Sequence, residues 1–169
     1  MNLYKLTDSN NRTRGGMQWG EGATHAAPGE GSDLCSGGVI HCYASPLIAV
    51  LMDPGHADYL QGGGKLWLAE GEIIVSDGLK AGCKSLTTLR EIEVPAMTLE
   101  QRAALVILSV KQVCDDPEWM AWAGRWLSGK DRSAEAAAAA AAWAAAAHAA
   151  DLAGQGIDFA ALAEEAMRY

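Results

Sequence analysis

The run of residues 133–150 begins with Ser133 and is otherwise almost all alanine. Only Glu135, Trp143 and His148 interrupt the alanines. Alanine has the highest intrinsic helix propensity and serine is a good N-cap, so this run predicts a helix. Alanine side chains bury little apolar area, so such a helix gains stability by letting other backbones approach closely. We therefore expect a packing element, with Trp143 as its one large anchor, and not the site of chemistry.

Residues 96–169 predict four helices joined by short connections, which together make an antiparallel layer. Thr98 and Gln101 form a capping box at the start of the first helix. Asp116, followed by proline, begins the second helix, and the alanine run is the third. Asp158 begins the fourth.

Trp119, Trp122 and Trp126 lie on one face of the second of these helices, at positions i, i+3 and i+7. Such a stripe could line an aromatic ligand site, but large aromatic rings at helical spacing more often form the core. The alanine helix offers a flat surface to receive them. We expect Trp143 to pack in the same way and His148 to be solvated.

Residues 1–95 are rich in glycine and in short runs typical of strands, and they predict a small, mostly antiparallel sheet with one helix. The predicted strands are residues 3–7, 39–43, 65–70, 73–75 and 86–93, and the helix runs from Ser45-Pro46 to a turn at residues 53–55. Residues 12–14 could form a hairpin with the first strand, and residues 15–38 read as a long loop. The predicted fold class is α+β: one compact domain whose β-rich and helical regions meet near Pro95.

The formal net charge is −8, spread evenly between the two regions. An acidic chain repels phosphate backbones, so we do not expect nucleic-acid binding. The N-terminus lacks signal-peptide features, and the alanine run is too weakly hydrophobic to span a bilayer. These features predict a cytoplasmic protein with reduced thiols and no membrane partner.

Cysteine and histidine side chains could suggest a zinc site, because thiolate and imidazole are the usual zinc ligands. The candidates are Cys35, His41, Cys42, His25, His56 and Cys83. No C-x-x-C pair occurs, and neighbours on a strand such as His41 and Cys42 point to opposite faces. We expect no metal and interpret the cysteines as buried free thiols. Ser36, Cys35, His41 and Glu91 could be assembled as a nucleophilic set, but the sequence does not place them together.

The strongest functional candidate is the loop of residues 18–31, which carries an aromatic ring, carboxylates, an imidazole and glycines. Its predicted ligand-binding residues are Gln18, Trp19, Glu21, Thr24 and His25. Arg12, Arg14 and the turn at residues 80–84 could complete a cradle for an anionic small molecule. The alternative is an Ω-loop that Trp19 packs for structural reasons.

Motifs along nearly the whole chain resemble a family of uncharacterised bacteriophage and prophage proteins with an alanine-rich C-terminal helix. They include Tyr4-Lys5-Leu6-Thr7-Asp8, Gln18-Trp19-Gly20-Glu21, Thr24-His25-x-x-Pro28-Gly29-x-Gly31, Ile40-His41-x-Tyr43-x-x-Pro46-Leu47, Leu79-Lys80-x-Gly82-Cys83-Lys84 and Trp126-Leu127-Ser128-Gly129-x-Asp131-Arg132-Ser133. The resemblance implies a phage-encoded protein that acts inside the host cell.

A second resemblance, to the middle of the ADP-ribosyltransferase fold, lies in residues 38–50 and the strand near residues 66–70. It implies an enzyme that uses NAD to modify a host target, with His41, Tyr43 and Glu91 as pocket residues. That family carries an arginine or histidine on its first strand, whereas Lys5 stands here, and its catalytic glutamate could be Glu91 or Glu93. An inactive or repurposed relative fits this departure at least as well as an active enzyme.

Three functions follow as expectations. The first is an accessory protein, without a cofactor, that binds and neutralises a host factor: a bacterial defence component or its nucleotide signal. The second is the ADP-ribosyltransferase-like enzyme, with NAD. The third is a structural virion or assembly protein. A homo-oligomer is compatible with each of them.

Overall fold

A computed structural model describes residues 2–130, 132–133 and 156–169. The chain divides into two compact units, Met1–Ala96 and Met97–Tyr169. The predicted alanine helix, with Trp143 and His148, lies outside the described residues. No described helix has both the length and the hydropathy needed to cross a membrane.

The first unit contains an antiparallel sheet and one α-helix, so the fold is α+β. Its elements are β1 (Leu3–Thr7), β2 (Thr24–Ala26), β3 (Ile40–Cys42), α1 (Pro46–His56), a 3-10 turn (Leu60–Gly62), β4 (Lys65–Ser76) and β5 (Ala81–Ile92). The strand order is β1-β4-β5-β2, and β3 also pairs with β5. The sheet curls until its two sides meet, because Tyr43, just after β3, forms a backbone bridge with Tyr4 of β1. Both bridge hydrogen bonds are 2.9 Å long.

Curling of the sheet encloses an apolar core. Its buried members are Leu3, Trp19, Ile40, Cys42, Ala69, Ala81, Cys83 and Leu86. The long strands β4 and β5 bend because their register shifts at three places, near Ala69, Gly71 and Ile73. At Gly71 a side chain would lie 2.8 Å from the Ser85 carbonyl oxygen, so the bend requires glycine.

Five details of the predicted β-rich region are wrong. Residues 12–14 do not pair with β1; Arg12 forms an isolated bridge with Gln18 instead. The loop of residues 15–38 contains a strand, β2. The helix α1 continues to His56 and does not end at the predicted turn. The two strands predicted for residues 65–75 are one bulged strand, β4, and β5 begins earlier than predicted, at Ala81.

The second unit contains three described helices, α2 (Leu99–Val110), α3 (Pro117–Leu127) and α4 (Phe159–Ala166). Three of the four predicted helix starts are confirmed, and the fourth, at Ser133, leads into residues outside the described part of the chain. Thr98 and Gln101 form both bonds of a capping box. The Asp116 carboxylate accepts two backbone N–H bonds at the start of α3, and the Asp158 carboxylate accepts one from Ala161. These local bonds satisfy N–H groups that have no partner inside the helix.

Packing in the second unit joins α2 to α4. Gln101 Nε2 donates to the Met167 carbonyl oxygen at 3.2 Å, just after α4. The tryptophan stripe of α3 is largely buried as predicted: Trp119 and Trp126 are buried, and Trp122 is half-buried. The predicted partner of this stripe, the alanine helix, lies outside the described residues.

Candidate functional site

A cleft of about 510 Å³ opens in the first unit beside the meeting point of β1 and β3. Its lining residues are Lys5, Leu6, Thr13, Arg14, Gly15, Met17, Pro28, Cys35, Ser36, Gly37, Val39, Ile40, His41, Tyr43, Ala57, Tyr59 and Lys80. Three of these side chains are cationic: Lys5, Arg14 and Lys80. None of the described lining residues is aspartate or glutamate.

The first wall of the cleft is the loop that carries Arg14, and Tyr59 holds this loop in place. The Arg14 backbone N–H donates to the Tyr59 hydroxyl oxygen at 2.6 Å. Tyr59 is itself fixed by the buried Asp53, whose carboxylate accepts hydrogen bonds from the backbone N–H groups of Tyr59 and Leu60 at 2.9 and 3.0 Å. The exposed Arg14 side chain is thereby presented on a well-anchored backbone.

The second wall is the glycine-rich segment of residues 28–38, which folds back on itself. Gly29 N–H donates to the Gly37 carbonyl oxygen at 2.8 Å. A side chain at Gly38 would overlap the backbone of Glu30 and Gly31, so this close approach requires glycine. Lys84 also holds the two arms of this segment together, because its Nζ donates to the carbonyl oxygens of Gly31 and Gly38.

Cys35 lies in this second wall in a left-handed conformation, with φ of 65°. Its backbone N–H donates to His41 Nε2 at 2.9 Å. This bond ties the His41 ring to the second wall. The lysine and arginine side chains supply the fixed positive charges of the cleft.

The third wall is the turn between β4 and β5, which places Lys80. The Asp77 carboxylate accepts hydrogen bonds from the backbone N–H groups of Leu79 and Lys80 at 3.0 and 2.8 Å. Gly78 adopts the left-handed conformation that the turn needs, with φ of 81°. The Lys80 ammonium group donates to the Cys35 sulfur at 2.8 Å, which links the second and third walls.

Lys5 forms the floor of the cleft. Its Nζ donates to the His41 carbonyl oxygen at 2.6 Å and lies 5.3 Å from the centroid of the Trp19 ring. Burial lowers the pKa of Lys5 to about 8, although the nearby thiols of Cys42 and Cys83 act in the opposite direction. This lysine is therefore still largely cationic at neutral pH but loses its proton far more easily than an ordinary lysine.

Two tyrosines add neutral, aromatic surface to the cleft. Burial is the main cause that raises the pKa of Tyr43, and the negative charge of Asp53 raises it further. Burial also raises the pKa of Tyr59. Both phenols therefore keep their protons throughout the physiological range and offer polar O–H groups beside an aromatic face.

Of the residues predicted for the ligand site, Arg14 and Lys80, the first residue of the predicted turn at residues 80–84, line the cleft. Trp19 is 3% exposed and belongs to the core, where it supports Lys5 from below. His25 packs edge-on against Trp19 with ring centroids 4.7 Å apart. The interpretation of Trp19 as a packing residue therefore fits its surroundings better than direct ligand contact.

The other predicted loop residues also make contacts within the sheet and its loops. Arg12 Nε donates to the Gln18 side-chain oxygen at 3.0 Å, and these residues brace the turn after β1. The Thr24 hydroxyl pairs with that of Thr87 at 2.8 Å, across β2 and β5. Glu21 is exposed and is not among the cleft residues.

Of the three pocket residues implied by the ADP-ribosyltransferase resemblance, the structure brings His41 and Tyr43 together in the cleft. Glu91 does not join them. Glu91 lies on β5 opposite Trp67 of β4, and its carboxylate forms a salt bridge with Lys65 at 3.4 Å.

The interpretation of the candidate zinc-ligand cysteines as buried thiols is confirmed for Cys42 and Cys83 and is wrong for Cys35, which is exposed in the cleft wall. His41 and Cys42 do point apart, as predicted, because Cys42 is fully buried in the core.

Lys5 and Tyr59 are among the cleft residues that were not predicted as ligand-binding residues. Lys5 had a usable signal: it lies between Leu3 and Thr7 in a strand, so period-two alternation turns it to the same, fully buried side. Tyr59 had none, because its position depends on Asp53 and on the loop that carries Arg14.

No protein-family model, curated protein or solved structure matches this chain. Within the described part of the chain, no group of three or more histidine, cysteine, aspartate or glutamate side chains could hold a metal ion.

Proposed function

We propose that the protein binds an anionic, phosphorylated small molecule in the cleft, and that a nucleotide fits this site best. One observation carries the proposal: Lys5, Arg14 and Lys80 all line the cleft, while none of its described lining residues is a carboxylate. The chain as a whole has a net charge of −8. A cluster of cations in a protein whose net charge is negative favours an anionic ligand.

The cleft also has the dimensions and surface of a small-molecule site. Its volume of about 510 Å³ lies within the range of roughly 300 to 1,000 Å³ that is typical of ligand pockets. Arg14 can hold a phosphate with two parallel N–H bonds, and a lysine contributes a point charge. Tyr43 and Tyr59 provide aromatic surface for a base or sugar.

The biological setting that we propose follows the resemblance to phage proteins. In the cytoplasm of an infected host, the protein would neutralise a defence system by holding its nucleotide signal. The four-helix layer, completed by the alanine helix, belongs to the same proposal. Direct binding of a host protein, without a small molecule, is the alternative outcome of the tests below.

The geometry supports binding better than ADP-ribosyl transfer. A transferase of the type implied by the resemblance needs a glutamate at the reacting sugar, whereas Glu91 pairs with Lys65 and does not line the cleft. No observation on the described residues favours the virion or assembly role. Binding is therefore the function that we propose.

A thermal-shift screen tests the proposal. The panel contains nucleoside mono-, di- and triphosphates, cyclic nucleotides, the matching nucleosides without phosphate, and inorganic phosphate. A ligand present at one hundred times its Kd stabilises the fold by about 2.7 kcal/mol. We expect a phosphorylated compound to raise the Tm and its nucleoside to have little effect.

Matched variants connect the shift to the cleft. Arg14→Ala and Lys80→Ala should each weaken binding roughly 10- to 100-fold, because each removes a charge-assisted hydrogen bond worth about 1.5 to 3 kcal/mol. Arg90→Ala and Lys111→Ala remove the same charges outside the cleft and should leave the Kd unchanged. A cleft pair and a control pair that behave alike would refute the assignment.

A further inference from the structure

Lys5 occupies an unusual position for a charged side chain. It lies on β1 between Leu3 and Thr7, both 0% exposed, and on the same side of the strand. Its Nζ is held by the His41 carbonyl oxygen and the face of Trp19. No described carboxylate forms an ion pair with Lys5, and the charged or titratable groups that act on it are the thiols of Cys42 and Cys83. The side chain nevertheless lines the cleft.

The surroundings of Lys5 favour the neutral amine. Burial lowers the pKa of Lys5 to about 8. The titratable groups packed against it are the thiols of Cys42 on β3 and Cys83 on β5, and burial raises the pKa of each of them. Both thiols therefore stay neutral near pH 8. A desolvated lysine of this kind is the usual form of an amine nucleophile.

We propose that Lys5 forms a Schiff base with an aldehyde group of the phosphorylated ligand that the cleft binds. This inference rests on the proposed function and narrows its ligand class to sugar phosphates or nucleotides that expose an aldehyde, such as a ribose with a free anomeric carbon. Arg14 and Lys80 would hold the phosphate, and the sugar end of the ligand would then contact Lys5 at the floor of the cleft.

The covalent step needs no oxidant or reductant. The lone pair of Lys5 Nζ attacks the aldehyde carbon, and the electron pair of the C=O bond moves to oxygen. A proton then passes from nitrogen to that oxygen, which gives a carbinolamine. Loss of water forms the C=N bond, so amine and aldehyde yield imine and water. Hydrolysis reverses the step and releases the ligand.

Lys80 is the competing amine in the cleft, but its surroundings differ. It follows an exposed turn, and its Nζ contacts the sulfur of the exposed Cys35. Lys5 instead lies at the bottom of the cleft over Trp19. Lys80 therefore suits a role as a phosphate-binding charge, and the two lysines can be separated by experiment.

The test uses the full chain with pyridoxal 5′-phosphate, which carries both a phosphate and an aldehyde, and traps the imine with borohydride. Peptide mapping by mass spectrometry then locates the secondary amine. We expect Lys5 to be labelled at least tenfold faster than Lys65, Lys80, Lys84, Lys111 or Lys130. Labelling of Lys5 should be half-maximal near pH 8 and should slow when pyridoxal, which lacks the phosphate, replaces the probe.

Controls keep the test independent of folding. Lys5→Arg retains the charge but cannot form an imine, so it should lose the label at position 5, and its thermal unfolding transition shows whether the variant is folded. Lys111→Arg should keep the label on Lys5. Label that appears on Lys80, spreads evenly over surface lysines, or persists in Lys5→Arg would overturn the Schiff base.

The two proposals fail in different ways. If a nucleotide raises the Tm but Lys5 takes no label, the binding function stands and the Schiff base falls. If Lys5 reacts equally with pyridoxal and its phosphate, and no nucleotide binds or protects it, the binding function falls while the amine chemistry of Lys5 stands.

Discussion

At the scale of single residues, the cleft depends on side chains whose partners come from distant parts of the chain. Tyr59 receives a hydrogen bond from Arg14, and Lys5 donates one to His41. Each bond fixes a backbone segment and leaves a cation or a ring available to a ligand. The position of each charge in the cleft therefore depends on the hydrogen bonds that anchor its residue, as well as on the residue type.

Lys5→Met tests the electrostatic state of the floor. The pKa of Lys5 falls from 10.5 to about 8 on folding. Between pH 8 and pH 10.5 the unfolded chain binds more protons than the folded chain, so the contribution of Lys5 to the free energy of unfolding increases with pH. This pH-dependent contribution is complete above pH 10.5 and absent below pH 8. The Lys5→Met variant has no such contribution.

Urea unfolding of the wild type and Lys5→Met at several pH values measures this term. The wild-type free energy of unfolding minus that of the variant should increase from about pH 8 to pH 10, by at most about 1.4 kcal/mol per pH unit. Lys111→Met, in the second unit, is measured in parallel as a control for the loss of a lysine outside the cleft. A difference for Lys5→Met that stays constant or falls with pH would mean that the amine is not desolvated.

At the scale of elements, signals that act within a few residues predicted the structure well. The capping box of Thr98 and Gln101 and the caps at Asp116 and Asp158 each form with residues two or three positions away. Such bonds do not depend on the rest of the fold. Helix starts could therefore be predicted from the sequence alone.

Elements that depend on distant pairing could not be predicted in the same way. Gly71 looks like a break between two strands, but pairing with β5 carries β4 through it with a register shift. Arg12 pairs with Gln18 and not with β1, because β1 is occupied by β4 and by Tyr43. The hydrogen bond between Arg14 and Tyr59 also joins distant parts of the chain. The sequence therefore predicted Arg14 as a ligand-binding residue but could not predict Tyr59.

The glycine-rich segment of residues 28–38 gives a prediction at this scale. In Gly38→Ala the new methyl group would overlap the carbonyl oxygens of Glu30 and Gly31, so the wall of the cleft must move. We expect a loss of about 1 to 3 kcal/mol in stability, which is typical of overpacking, together with weaker nucleotide binding.

Gly62→Ala is the matched control, because a side chain there meets no atom within 4 Å. Urea unfolding and the Kd of the nucleotide serve as readouts for both variants. If Gly38→Ala is as stable as the control and binds as tightly, the close packing of this wall is not needed for the cleft.

At the scale of the whole molecule, the cleft belongs entirely to the first unit. The boundary between the units, after Ala96, lies at the point where the sequence changes from β-rich to helical. Every proposed ligand contact, Lys5, Arg14 and Lys80 among them, precedes that boundary.

Hydrogen exchange with and without the nucleotide should reflect this division. Ligand binding suppresses local opening of the segments that it touches. We expect added protection in residues 13–17, 35–43 and 77–80, and little change in α2, α3 and α4. Protection concentrated in the helices of the second unit would move the binding site away from the cleft.

The most direct test of the central claim is to ask what the protein carries away from a cell extract. The purified protein is incubated with the small-molecule fraction of a bacterial lysate, washed and denatured, and the released compounds are identified by mass spectrometry. We predict that the wild type releases a phosphorylated compound in near-stoichiometric amount and that the double variant Arg14→Ala, Lys80→Ala does not. Release of no such compound, or equal release from the double variant, would contradict the account.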